Sequence, residues 1–202
     1  MAGNFKYLKF LFLLFFFITC KNATDDKIAG KEIINENMNR FISDLYGLSI
    51  EYHKNGKFPI FLNKKTGNDF FKEHCESILE MGELNAAENC KEEFYKLINK
   101  EGFSIDKNTK YLSFGIDKNF SRDNTINKNI QLIENNSNIK SNAYVEIKFS
   151  NIYIDNKLKK AFVILEETDF EKGRYGGKVD IYFFTKKKNK WIFNKKLMLL
   201  TA

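Results

Sequence analysis

Proline is nearly missing: Pro59 is the one example in 202 residues. That excludes a Pro-rich linker, a collagen-like rod and a mucin-like stalk. Arginine is scarce too, with Arg40, Arg122 and Arg174 the only three among 33 basic residues. Nucleic-acid binders gather Arg and Lys on one face, whereas here the excess is lysine spread along the chain, so no nucleic-acid partner is expected. Two histidines, His53 and His74, leave few ways to build a Ser-His-Asp or Cys-His site. The chain has no GxSxG elbow, Walker loop, HExxH or dinucleotide fingerprint. Cysteine occurs three times, as Cys20, Cys75 and Cys90, with no CxxC or HxxxH spacing, so neither a metal site nor a cofactor is expected. No apolar run approaches the roughly 20 residues of a membrane-spanning helix.

What is present suits a packed domain. Hydrophobic residues make up 43% and charged residues 29%, which excludes wholesale disorder. A chain of 23.8 kDa holds one ordinary domain and a targeting segment. The abundance of Lys, Asn, Ile and Phe has the imprint of an AT-rich bacterial genome.

The first two dozen residues read as an address. Lys6 and Lys9 precede the nine-residue run Phe10 to Ile18, and Thr19-Cys20 and the polar Lys21-Asn22 follow. Length and flanks fit a secretory signal rather than an anchor helix. Cleavage after Ala23 would put Lys21 at the third-last position, where a small residue is wanted, so cleavage before Cys20 is favoured. Phe17-Ile18-Thr19-Cys20 resembles the relaxed lipobox of Bacteroidetes lipoproteins, departing from the stricter pattern at Phe17 and Thr19. The resemblance implies diacylglycerol on the Cys20 sulfur and a fatty acyl group such as palmitate on its new amine. Acyl chains at about 0.8 kcal/mol per buried CH₂ would hold the protein at a membrane surface. Asp25-Asp26 faintly resembles the acidic signal that sends such lipoproteins to the cell surface. Losing Lys6 and Lys9 would lower the formal charge from +7 to +5. The expected organisation is a signal peptide over 1–19, a lipidated tether over 20–31 and one domain over 32–202. The expected location is the bacterial envelope, at the outer membrane.

Ile34, Met38, Phe41, Ile42 and Leu45 recur at helical spacing before Gly47. A second helix is predicted from Asn68-Asp69, with Phe71, His74, Cys75, Ile78 and Leu79 on one face and Gly82 after it. A third opens at Asn85-Ala86-Ala87-Glu88, carries Cys90, Phe94, Leu97 and Ile98, and stops at Gly102. The second half changes period. Strands are predicted over Tyr111 to Ile116 and over Val145 to Phe149, where apolar residues alternate with Glu146, Lys148 and Ser150; Ile130 to Ile133 reads either as a further strand or as part of a mobile Asn-rich loop over Asn124 to Asn142. Ala161 to Leu165 is continuously apolar, as a strand covered on both faces should be. Val179, Ile181 and Phe183 alternate, and a Lys-rich turn over Lys186 to Lys190 leads into Trp191-Ile192-Phe193. Short connections suit an antiparallel meander. The fold class is α+β: three N-terminal helices on one face of a curved sheet, by analogy with the cone-shaped nuclear-transport-factor-2-like or cystatin-like architectures. Phe149-Ser150-Asn151-Ile152-Tyr153, Lys160-Ala161-Phe162-Val163, Tyr175-Gly176-Gly177 and Lys190-Trp191 resemble the C-terminal meander of uncharacterised Bacteroidetes lipoproteins. Many of those carry a Cys in the Gly-rich loop, and this chain does not. The resemblance supplies no activity.

Few residues offer chemistry. Cys75 and Cys90 lie 15 apart on two predicted helix faces. In an oxidising compartment they can form a bridge worth about 3 kcal/mol, or remain two buried thiols behaving as small hydrophobes. The acidic run Glu166, Glu167, Asp169 and Glu171 reads as a solvated loop beside an apolar strand, or else as an acid pair for hydrolysis. Tyr182 and Phe184 fall opposite the Val179–Ile181–Phe183 face and form a ligand face unless helices cover them. Two functions follow as expectations. One is a non-catalytic envelope lipoprotein binding a protein or small molecule. The alternative is an envelope hydrolase using the acids near Glu166.

Overall fold

Continuous apolar sequence makes the middle of the sheet. The computed structural model describes residues 28–45, 59–64, 66–67, 84–105, 109–116, 130–134 and 138–201, with only the backbone at 84–88, 91, 110 and 201. Among these, eight strands join in one curled sheet. They are β1 (Ile60–Asn63), β2 (Thr109–Leu112), β3 (Ile130–Ile133), β4 (Ala143–Phe149), β5 (Ile152–Asp155), β6 (Lys160–Glu171), β7 (Arg174–Lys187) and β8 (Lys190–Thr201). β6 is central. Its apolar half pairs with β5, its acidic half with β4, and its other edge with β7. β7 then pairs with β8, so the C-terminal strands form the expected antiparallel meander.

Alternation along β6 and β7 sends side chains to two cores. Ala161, Val163 and Leu165 of β6 and Tyr182 and Phe184 of β7 meet Ile33, Ile34, Met38 and Phe41 on one face. Phe162, Ile164, Ile181 and Phe183 meet Phe94, Ile98 and Phe103 on the other. Phe162 anchors this second core, stacked on Tyr153 at 4.4 Å and met edge-on by Phe103 at 4.7 Å. Each such side chain contributes about 1.5–3 kcal/mol by leaving water.

The helical cover differs from expectation. Helices lie on both faces, because β6 and β7 are apolar on both. The first helix is interrupted: a π-helical turn, Lys31–Asn35, precedes α1 (Met38–Ser43). The wider turn closes with Glu36 N–H donating to the Lys31 carbonyl at 3.0 Å, and it buries Glu32, Ile33 and Ile34 in succession. Asn37 donates its side-chain amide to the Glu32 carbonyl at 2.7 Å, satisfying a group the irregular turn leaves over. The predicted second helix lies outside the described residues. The third is α2 (Leu84–Lys100), and it ends as predicted. Gly102 takes φ +66°, a conformation that favours glycine, and Phe103 N–H returns to the Ile98 carbonyl at 3.0 Å.

Two further expectations fail. β1 pairs parallel with both β3 and β4, so the sheet is not a pure antiparallel meander. The acids from Glu166 to Glu171 are strand rather than loop, because β4 supplies a ladder partner from Leu165 to Glu171.

Candidate functional site

The acidic half of β6 faces a charged stretch of β7 across the ladder, Glu167 opposite Lys178 and Leu165 opposite Asp180. On β7, Lys178, Asp180 and Tyr182 alternate onto the face covered by the N-terminal helical segment. Gly177 lets the two strands approach there. At φ +151°, a Cβ at this position would lie 2.0 Å from the Glu167 carbonyl oxygen.

The result is a largely buried ionic network. Lys178 Nζ lies 2.9 Å from Asp180 Oδ2 and 3.8 Å from Glu167 Oε2, with all three side chains at most 5% exposed. Lys178 also donates to the main-chain carbonyl of Asp44, one of the carbonyls left over where α1 ends. Lys196 Nζ bridges Asp44 Oδ2 at 3.3 Å and Asp180 Oδ2 at 3.6 Å, and the network meets solvent at these partly exposed Lys196 and Asp44 side chains. The Tyr182 hydroxyl donates to Asp44 Oδ2 at 3.3 Å. Burial, then the charges of Asp180 and Asp44, raise the Tyr182 phenol far above its ordinary value of 10.0. It stays neutral and serves as a donor. Three carboxylates therefore meet two ammonium groups.

This arrangement ties chain segments together. Further up the same helical segment, the Glu32 carboxylate, also buried, accepts the Trp191 N–H at 2.9 Å. Arg40 lies over the Phe193 ring at 4.0 Å from its centroid. Glu32, Arg40 and Asp44 thus fasten the segment along β8, at Trp191, Phe193 and Lys196.

The expected ligand face is closed. Tyr182 and Phe184 are 0% and 1% exposed, and Phe41 packs edge-on against Tyr182 at 4.7 Å. Helices cover that face because its residues belong to the larger core. The acid pair dissolves as well: Glu166 and Glu167 are neighbours on a strand and project to opposite faces. Glu167 joins the buried network, while Glu171 is exposed beside Lys172 at 3.4 Å. Among the described residues no group of three or more His, Cys, Asp or Glu side chains is placed to hold a metal ion. Cys90 lies on α2 and is disulfide-bonded; Cys20, Cys75, His53 and His74 lie outside the described residues, so the expected pairing with Cys75 stays an expectation. Among the described residues no helix is long and apolar enough to cross a membrane.

No sequence motif marks Lys178, Asp180, Asp44 or Lys196. The signal was legible in part: Lys178 and Asp180 share a strand face with two aromatics, just after Gly176-Gly177. No protein-family model matches the chain, nor does any curated protein or solved structure.

Proposed function

We propose that this chain is a lipid-anchored bacterial envelope protein whose folded part is a non-catalytic binding or structural module. One observation carries the reading from the structural side. The helical segment that follows the tether is fastened to the sheet at its start, through Glu32 and Trp191, and at its end, through Asp44, Lys178, Tyr182 and Lys196. A domain bound this way to its own N-terminal segment is suited to being held at a surface. The basic, apolar, Phe17-to-Cys20 order of the first residues supplies the anchor, and the outer membrane is the location it favours. The nuclear-transport-factor-2-like or cystatin-like architecture remains an analogy, drawn from a curled sheet under a helical cover.

Cys20→Ser tests the anchor. The variant is expected to lose incorporation of labelled palmitate and to leave the membrane fraction or accumulate unprocessed. Processing and fractionation like wild type would overturn the lipid anchor. Pairing of Cys90 with Cys75 belongs to the same reading. Peptide mapping of the unreduced protein should recover the two in one cross-linked fragment, and two alkylatable thiols there would refute it.

A further inference from the structure

Two hairpin tips at one end of the sheet carry lysine in unusual density. Residues 156–160 hold three lysines and residues 186–190 hold four, with no acid in either stretch. The tips are held side by side, since Lys186 N–H donates to the Lys159 carbonyl at 2.8 Å. Between them lies a recess of about 550 Å³ lined by Asn156, Lys159, Lys186, Lys188 and Asn189. Among the described residues the ion pairs leave Lys157, Lys159, Lys187, Lys188 and Lys190 without a carboxylate. The described acids beside them are already engaged: Asp155 is buried and accepts the Leu158 N–H at 2.8 Å, Glu32 is buried and accepts the Trp191 N–H, and Glu101 pairs with Lys195. Leu158 itself, at the tip between Lys157 and Lys159, is 46% exposed.

The position of this end matters. The N-terminal helical segment meets β8 first at Trp191, through Glu32, and Trp191 pairs with Lys186 across the ladder. The segment then runs away toward Asp44 and Lys178. The first described residues therefore lie toward the lysine end relative to Asp44, with Gly30 against the Phe114 ring. Eight residues, Cys20 to Lys27, reach at most about 26–29 Å when extended, so an anchored Cys20 keeps this end near the bilayer.

We infer that the lysine-rich hairpin tips are a docking surface for anionic lipid headgroups, which enter the recess as phosphates while Leu158 meets the interface. The inference rests on the anchored reading for its orientation, and on the charge and shape of the tips for its chemistry. Unpaired lysines near a negatively charged leaflet are attracted to it within a Debye length. The far end of the same strands has no such excess: Lys172, in the β6–β7 turn, sits beside Glu171.

The test uses the full mature protein reconstituted into vesicles of phosphatidylcholine, with or without phosphatidylglycerol, and maps lysine labelling by an amine-reactive reagent. Lys157, Lys159, Lys187 and Lys188 should be protected several-fold in the anionic vesicles, with protection lost at high salt and Lys172 labelled equally throughout. Equal labelling in the two vesicle types overturns the inference, and so does protection that includes Lys172. Equal protection by inorganic phosphate without vesicles also overturns it, in favour of a small-anion site. The acyl mass on Cys20 is read from the same digest. Protection without that mass keeps the docking surface and removes the anchor, whereas the mass without protection does the reverse.

Discussion

Lys178 and Lys188 belong to the same hairpin and differ in everything but side-chain type. Lys178 is 6% exposed and faces Asp180, Glu167 and the end of α1. Lys188 sits at the turn between Lys187 and Asn189, and among the described residues no carboxylate pairs with it. The buried end of the sheet sets its lysine among acids because an isolated ion in a core would cost several kcal/mol. The open end tolerates unmatched charge because water screens it. A lysine count alone therefore says little; the acids placed beside each lysine decide whether it fastens the fold or faces outward.

The comparison breaks most sharply at Lys178. Lys178→Met should cost about 3–5 kcal/mol in denaturant unfolding, because Glu167 and Asp180 stay buried without their cation. Pairing it with Asp180→Leu should recover part of the loss, since an apolar pair of similar volume carries no desolvation penalty. A loss below about 1 kcal/mol for the single variant, the level of an exposed ion pair, would mean that the network is open to water.

A smaller effect sharpens the same point through Tyr182. Its phenol is raised in the folded protein by burial and by Asp180 and Asp44. The folded state thus keeps a proton that the unfolded chain releases above the ordinary value of 10.0. The stabilisation is whole below that pH and is lost as pH climbs toward the folded value, by about 1.4 kcal/mol per pH unit. Lysines titrate in the same range, so the measure is a difference. Tyr182→Phe should show a shallower alkaline fall in stability than wild type; parallel curves would show that the phenol ionises alike in both states.

Much of the fold was legible and the site was not, for physical reasons. Periodicity is local, so Val145, Ile147 and Phe149 declared β4, and Ala161 to Leu165 declared a strand covered twice. The Gly102 stop of α2 could be read for the same reason. Parallel pairing of β1 with β3 and β4 depends on residues about 70 to 85 positions apart, which no local pattern encodes. Glu166 to Glu171 looked like a loop because charge is rare in buried strands. β4 overrode that by supplying a ladder, and Lys178 offsets part of the cost of burying Glu167. Strand alternation puts Tyr182 and Phe184 on the face opposite Val179, Ile181 and Phe183, as the two cores confirm. What covers that face depends on the N-terminal segment, which β7 alone does not specify.

The smallest effect concerns the turn that carries Lys188. Lys188 and Asn189 have φ of 47° and 64° and join Lys187 to Lys190 across the ladder, a two-residue loop with both residues left-handed. Asn-Gly is the pairing that suits such a loop, while a residue with an ordinary side chain loses about 1–2 kcal/mol in that conformation. Lys188 adds a third ammonium to the facing pair Lys187 and Lys190, and like charges directly opposite are destabilising. The double variant Lys188→Asn/Asn189→Gly should therefore gain about 1 kcal/mol, a rise of roughly 2–4 °C in Tm for a domain of this size. In anionic vesicles it should also weaken the protection of Lys157, Lys159 and Lys187, since each lysine near such a surface contributes about 1 kcal/mol. Stability and docking would then move in opposite directions. A variant that gains stability and keeps full protection would show that Lys188 lies outside the docking surface, and one that gains nothing would show that the turn carries no strain.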